Sequence, residues 1–553
     1  MERELRAGTR SIWYSSGLRH IPAVLVVLCV IGAAIGLAWQ AAEVAVACDD
    51  AFISFRYADN LARGRGIVYS PPDRVEGYTN FLWVVMVAAG IALGAEPLET
   101  ARLFGICGFA CAAALSSIIV WRATNRGWQG LWALLPLALV QLPSQYAAHG
   151  GNGLEMTFAS FLLLLLGYVN HVVIPAREWT RPSRAWVYSL IPSALLLTRM
   201  DTALFVGVSI LVGAALTARP NFQGRAPLLD RALHEAVYRY WLLGVVVVAW
   251  LIWKVRYYGD ILPNTYYAKG ADQALWEMGW SYWADFVRSY FHILLLVPVA
   301  IFGALHPPRR SLRGFGTWAL VSIVLYVLYT AKAGGDFMHY RFAFMVYPML
   351  TTLAVFGLYQ IALKSRSSAL ACGALILALA PGEPILNSKY SAMSHGLMHK
   401  FYLEGVRTGK AIRRSTPHDI RIATTLAGTM AYFGDRYTVD QLGLNDARVA
   451  RIDVPITVRG HSKRASREYL QERQVHLLFD HPWFIGCELA QLQDFKRKKK
   501  WTKESNPIVL LRVDDKQCVI AEYLVQNPEM TRWFCEHPEY FLVDGIRCGA
   551  ASR

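Results

Sequence analysis

Charged residues are scarce in this chain. Only 17% of its 553 residues are Asp, Glu, Lys or Arg, against 54% apolar, and the mean hydropathy is +0.29. Soluble domains carry about 25% charged residues, so the balance argues against a soluble globule. No C-x-x-C pair occurs among the nine cysteines, which removes the usual zinc-site spacing. Internal repeats and low-complexity tracts are also lacking, which removes solenoids and disordered tails. The net charge of +16 would suggest nucleic acid in a soluble protein. Here the basic residues sit in short loops between apolar runs, the loop bias of membrane proteins, and nucleic acid is not an expected partner.

What is present is a series of apolar runs near the ~20 residues that a bilayer crossing needs. The first, Ile21–Trp39, follows Arg3, Arg6, Arg10 and Arg19 with no small-residue cleavage site; it predicts an uncleaved span with the N-terminus cytoplasmic. The fourteen residues Phe81–Gly94 are too short to span and predict an interfacial helix. Eleven spans are then expected, near 21–41, 101–120, 130–147, 155–174, 186–200, 203–218, 239–255, 290–305, 315–331, 342–362 and 367–383. This register puts Arg122 and Arg126, then Arg177, Arg181 and Arg184, then Arg219, Arg225 and Arg231, then Arg309, Arg310 and Arg313, then Lys364 and Arg366 in inner loops. The expected setting is a bacterial inner (plasma) membrane, crossed many times. Residues 1–383 form the helical domain, with a first outer loop at about 42–100. Residues 384–553 read as a soluble extracytoplasmic α/β domain, with strands near Ile420–Thr424, His476–Phe479, Pro507–Arg512 and Cys518–Tyr523. Its four cysteines, Cys487, Cys518, Cys535 and Cys548, predict one or two disulfides of open connectivity.

The polar clusters that fall outside are the chemical candidates. Asp49 and Asp50 open a helical pattern directly after the first span. Acids there cap a helix and suit its dipole, but one can cap while its neighbour acts as a base. Glu76, Tyr78 and Asn80 lead into the interfacial helix, where aromatic anchors are ordinary. Glu155 ends a glycine-rich loop, His149–Glu155, at a helix start. Arg199 and Asp201 place charge inside an apolar run, which is costly and marks a functional candidate. The loop Arg256–Lys269 brings Tyr258, Asn264, Tyr266 and Lys269 together. Aromatic faces and amides suit a sugar and a cation suits a phosphate, while an interfacial belt with snorkelling cations is the plain alternative. Asp336, His339 and Arg341 share one outer turn. Acids, aromatic rings and cations in one compartment suit transfer from a membrane-anchored phosphorylated donor. A cation would hold the lipid phosphate and a carboxylate would deprotonate the attacking hydroxyl.

The segments FRYADNLARGRGIVYSPPDRVEGYTNFLW after Asp49-Asp50, NGLEM, TRMD, RYYGDILPNTYYAK and GGDFMHYRF resemble the GT-C superfamily of polytopic glycosyltransferases. They are most similar to mycobacterial arabinofuranosyltransferases that use decaprenylphosphoryl arabinose. The resemblance covers most of residues 45–345, and AGTMAYFGDRYTVDQLGLND at 427–446 is similar in kind. It implies a polytopic α-helical GT-C fold with juxtamembrane helices and a C-terminal extracytoplasmic domain. It also implies a polyprenyl-phosphate sugar donor, an extracytoplasmic glycan or glycolipid acceptor among membrane lipids, and an inverting displacement. Asp49 would then be the general base, supported by Asp50. The lysine that the lipid A aminoarabinose branch carries near its juxtamembrane helix is replaced here by the Glu76–Tyr78 region. The phosphate therefore falls to Lys269 or Arg199, then Arg56 or Arg341. No cofactor is required by the resemblance; a divalent metal ion, if one binds, would be held by Asp49 and Glu155. Two other classes fit the composition. A lipid-linked sugar flippase would show inverted repeats or broken helices, and a non-catalytic envelope-glycan assembly protein would tolerate loss of both Asp49 and Asp50.

Overall fold

Apolar runs of this length satisfy every backbone N–H and C=O internally only as helices. The computed structural model describes residues 8–124, 127–173, 185–216, 228–380, 395–498, 506–546 and 548. Among them, six helices are long and apolar enough to cross a membrane: Val24–Glu43, Pro97–Thr124, Met156–Val173, Arg239–Tyr258, Arg310–Lys332 and Arg341–Lys364. A seventh candidate is the pair Trp276–Ser289 and Ile293–Leu305, bent by 101°. Shorter apolar helices cover Phe81–Ala92, Tyr188–Thr198, Met200–Ala215 and Arg366–Ala378. The run expected to span at 130–147 is divided into Gly127–Leu134, Leu135–Gln141 and Ser144–Gly151, with Pro143 at the last break. Proline cannot donate to the helical ladder. Arg126, Arg177, Arg181, Arg184, Arg219 and Arg225, and the expected boundary at 383, lie outside the described residues.

The chain divides by contact into two units, each assembled from separated segments. The first takes Met1–Ala45, Ala101–Ile252 and Ala274–Met393; the second takes Val46–Thr100, Trp253–Gln273 and Ser394–Arg553. In the first, Arg341–Lys364 is almost wholly buried. Its Phe344, Leu353 and Phe356 join Trp318, Tyr282 and Leu163 in one apolar core. The second unit combines the first outer loop, the 253–273 segment and the C-terminal domain. Its helix Asp49–Ala62 starts after an extended Cys48 and buries Phe52, Phe55 and Tyr57; it ends before Gly64, whose φ of 72° favours a residue without Cβ.

The C-terminal domain is built on a seven-stranded mixed sheet: β1 Arg421–Thr424, β2 Tyr437–Asp440, β3 Leu477–Leu478, β4 Phe484–Gly486, β5 Ile508–Arg512, β6 Gln517–Tyr523 and β7 Phe541–Asp544. The order is β2-β1-β3-β6-β5-β7, with β4 added on β6. β2, β1 and β3 are parallel, and the remaining pairs are antiparallel. Disulfides join Cys487 to Cys518 and Cys535 to Cys548.

Candidate functional site

In the helical unit, the helices Ala185–Thr198 and Ala203–Leu216 are interrupted by a single turn, Met200–Thr202. The interruption releases an extended Arg199. Its guanidinium donates to Asp201 through Nε at 3.1 Å and Nη2 at 2.7 Å, and through Nη1 to Glu155 Oε1 at 2.7 Å. Tyr326 donates to Asp201 at 3.3 Å. A forked cation with two planar acceptors is a strong geometry in a poorly hydrated place. The trio carries one net negative charge, so Arg199 is already overcompensated as a holder of phosphate.

Arg341 opens the long buried helix and pairs with Asp336, at 2.5 Å from Nε and 3.0 Å from Nη2. Arg199 and Arg341 both approach the Phe342 ring, with guanidinium carbons 5.8 and 5.7 Å from its centroid. The turn into this helix is strained: Gly334 and Gly335 have φ of 86° and 71°, and His339 and Tyr340 hold φ of 41° and 54° without being glycine. The buried His149 contacts the carbonyl of His339 at 3.1 Å, and Asn152 contacts the other His149 nitrogen at 3.1 Å. Glu155, Arg199, Asp201, Asp336, His339 and Arg341 therefore belong to one region of one unit.

In the second unit the acid pair divides. Asp49 accepts from the Gly428 amide at 3.1 Å, the Thr429 amide at 2.8 Å and the Thr429 hydroxyl. Burial pushes its carboxyl up to about 6, against the pull of these hydrogen bonds, with the adjacent Asp50 adding to the rise. The approach is close: a Cβ on Gly428 would sit 1.8 Å from the Asp49 carbonyl oxygen. Asp50, half-buried on the same first turn, makes no side-chain hydrogen bond or ion pair among the described residues.

Arg56 is spent on backbone. Its guanidinium donates to the carbonyls of Tyr69 and Arg436 at 2.7 Å each, and to Ala431. Asn264 likewise donates to the carbonyls of Gly443, Leu444 and Asp446. Asn80 accepts from Ser54 at 3.1 Å. Tyr78 and Tyr258 share a 3.0 Å contact, and Tyr258 donates to the Ile67 carbonyl. Tyr266 stacks edge-on against Tyr267. Lys269 caps the short helix Asn264–Ala268, its stem beside Gly460.

Glu76 forms a fully buried ion pair with Lys254 at 2.7 Å; burial holds its carboxyl up at about 7 against the attraction of that lysine. Lys254 escaped the sequence reading although the signal was there, since a lysine within an apolar span calls for a partner. Asp49 and Glu155 fall in different units. No group of three or more His, Cys, Asp or Glu side chains among the described residues is placed to hold a metal ion.

Residues 397–535 match a domain of unknown function, DUF8728. The chain is 28% identical over 319 residues to a terminal beta-(1->2)-arabinofuranosyltransferase of Corynebacterium glutamicum, covering 53% of this chain and 45% of that protein. It is 26% identical over 363 residues to the Mycobacterium tuberculosis protein of the same name, covering 59% and 54%. The chain thus spans about half the length of these curated relatives. ArnT from Cupriavidus metallidurans, bound to undecaprenyl phosphate, superposes over 90% of this chain and 97% of its own, with a TM-score of 0.51 at 13% identity. The chain has the GT-C fold expected from its sequence, completed by a C-terminal domain that contains a sheet.

Proposed function

We propose that this chain is a membrane glycosyltransferase that moves a sugar, arabinofuranose by analogy with the named relatives, from a polyprenyl phosphate to an extracytoplasmic cell-envelope glycan. The observation that carries the reading is the divided acid pair. Asp49 is fixed by Gly428 and Thr429, which leaves Asp50 as the carboxylate with an oxygen to offer an acceptor hydroxyl. The base assignment therefore moves one residue from the first expectation: Asp50 takes the proton and Asp49 sets the helix start that aims it. Attack of the deprotonated hydroxyl on the anomeric carbon expels the lipid phosphate in a single inverting displacement. The charge that grows on that phosphate is met by a cation, for which Lys269, in the same unit as Asp50, is the candidate. Arg56 is consumed by carbonyls, and Arg199 serves two acids. Glu76, Tyr78, Asn80, Tyr258, Asn264 and Tyr266 shape the acceptor side through the loop they brace. The N-terminus lies in the cytoplasm and the C-terminal domain outside.

The test is transfer from radiolabelled polyprenyl-phosphate arabinose in reconstituted vesicles. Asp50→Asn should lower turnover by about 10²–10⁴-fold while the protein folds and is inserted normally. Full turnover in Asp49→Asn, Asp50→Asn and the double variant would leave a non-catalytic or transport role instead.

A further inference from the structure

The parallel strands β2, β1 and β3 point their carboxyl ends the same way, and in open α/β sheets this is the end where ligands bind. The turn after β1 supplies Gly428 and Thr429, which hold Asp49. The residues after β2 and β3 line a separate cavity of about 430 Å3, within the ~300–1,000 Å3 usual for small-ligand sites. Its existence follows from the sheet. β6 pairs with β3 at residues 522–523 and with β4 at 517–519, and the chain between those two partners leaves the sheet.

Six residues give the cavity its chemistry: Gln441, Arg467, Asp480, Trp483, Phe495 and Glu522. Gln441 is only 4% exposed, yet its side-chain amide nitrogen has no hydrogen-bond acceptor among the described residues. A buried unmet donor costs free energy unless something completes it. Trp483 is 43% exposed and sits beside Phe495, with ring centroids 6.0 Å apart; this offers an apolar face at the mouth. The charges are internally balanced. Arg467 pairs with Glu522 at 2.7 Å, Asn506 donates to the same carboxylate at 2.6 Å, and Asp480 is met by Arg464. A phosphate would have to displace a carboxylate, whereas neutral hydroxyls can share these paired donors and acceptors. An aromatic face beside such groups fits the C–H face and hydroxyl edge of a sugar.

We infer that this cavity is a binding subsite for a neutral oligosaccharide, placed at the same end of the parallel strands as the acid pair and holding part of the acceptor glycan. The choice of an arabinose-based ligand rests on the function proposed above.

The experiment uses the full chain in detergent and a phosphate-free arabinofuranosyl hexasaccharide, with binding followed by calorimetry and saturation-transfer NMR. Wild type and Asp50→Asn should bind it equally. Trp483→Ala and Gln441→Leu should each weaken binding about tenfold or more and raise the acceptor KM by a similar factor, with kcat and the donor KM unchanged. Trp483→Phe, which keeps an aromatic face, should restore most of the affinity and guards against a variant that merely misfolds. Equal binding by wild type and both weakened variants overturns the subsite. So does absence of saccharide binding by wild type, or preferential binding of inorganic phosphate. Saccharide binding that depends on Trp483, in a protein that transfers no arabinose, upholds the subsite and removes the enzymatic reading alone.

Discussion

In the helical unit the Arg199 guanidinium is balanced by two carboxylates, Glu155 and Asp201. In the other unit Arg56 is balanced by three backbone carbonyls, and Asp49 by two amides and a hydroxyl. A cluster closed by side chains is self-contained, and its members can be removed together. Charges closed by backbone depend on segments about 380 positions away keeping their shape. The second arrangement also leaves one acid over, Asp50, because its neighbour absorbs the available donors. Satisfied charges organise a site, and the unsatisfied one beside them is where proton transfer is best sought.

The largest expected effect breaks the comparison at the surplus acid. General-base catalysis contributes ~10²–10⁴-fold, so Asp50→Asn should lower transfer by about that factor. Asp49→Asn, which keeps an acceptor oxygen for Gly428 or Thr429, should lose less. Initial rates in vesicles decide the order, and equal losses would mean that the two acids act as one group.

Next comes the self-contained cluster. Arg199→Met strands two facing carboxylates and should cost ~3–5 kcal/mol, the usual result of breaking a buried pair. The triple variant Arg199→Met, Glu155→Gln, Asp201→Asn should recover most of that loss. Thermal unfolding in detergent reads both.

Gly428→Ala sharpens the backbone side. A Cβ there would clash with the Asp49 carbonyl oxygen, so the acid pair must shift. Overpacking of this kind costs ~1–3 kcal/mol, and turnover should fall about tenfold with only a modest drop in melting temperature.

The smallest effect is with pH. The Asp49 carboxyl is raised to about 6 from 3.8, so between those values the folded chain binds more protons than the unfolded one. The burial penalty is then fully present above about pH 6 and is relieved as pH falls through the window. Thermal stability should rise slightly from pH 7 to pH 5, while transfer, which needs the Asp49 carboxylate to hold the Gly428 and Thr429 donors, should decline through about pH 6. Asp49→Asn should flatten the activity slope and reduce the stability slope, the remainder of which belongs to the buried Glu76 and Asp440 carboxyls.

Much of the fold was legible because it is written locally. The long apolar runs, the short apolar helix Phe81–Ala92 and the break after Ala62 follow from composition and glycine placement within a few residues. Four strands were also readable as apolar stretches, but β2, β4 and β7, which take their places through pairing, were not. The acid pair stood out for the same local reason. The fate of Arg56 and Asn264 did not, because their partners are the carbonyls of Tyr69 and of residues at 431–446, and carbonyls leave no mark in sequence. Lys254 and Glu76, 178 positions apart, were each visible alone but not as a pair.

The cysteine pairing has a use beyond stability. Cys518 ties the middle of the sheet to Cys487, just past β4, and Cys548, beyond β7, is tied to the helix Pro528–Glu536 through Cys535. Thiol–disulfide chemistry follows compartment, so the domain keeps a chemical record of where it folded. Alkylation of unreduced cells should leave these four sulfurs unlabelled if the domain reached an oxidising space, and labelled if it stayed in the cytosol. Topology can thus be read from the untagged protein.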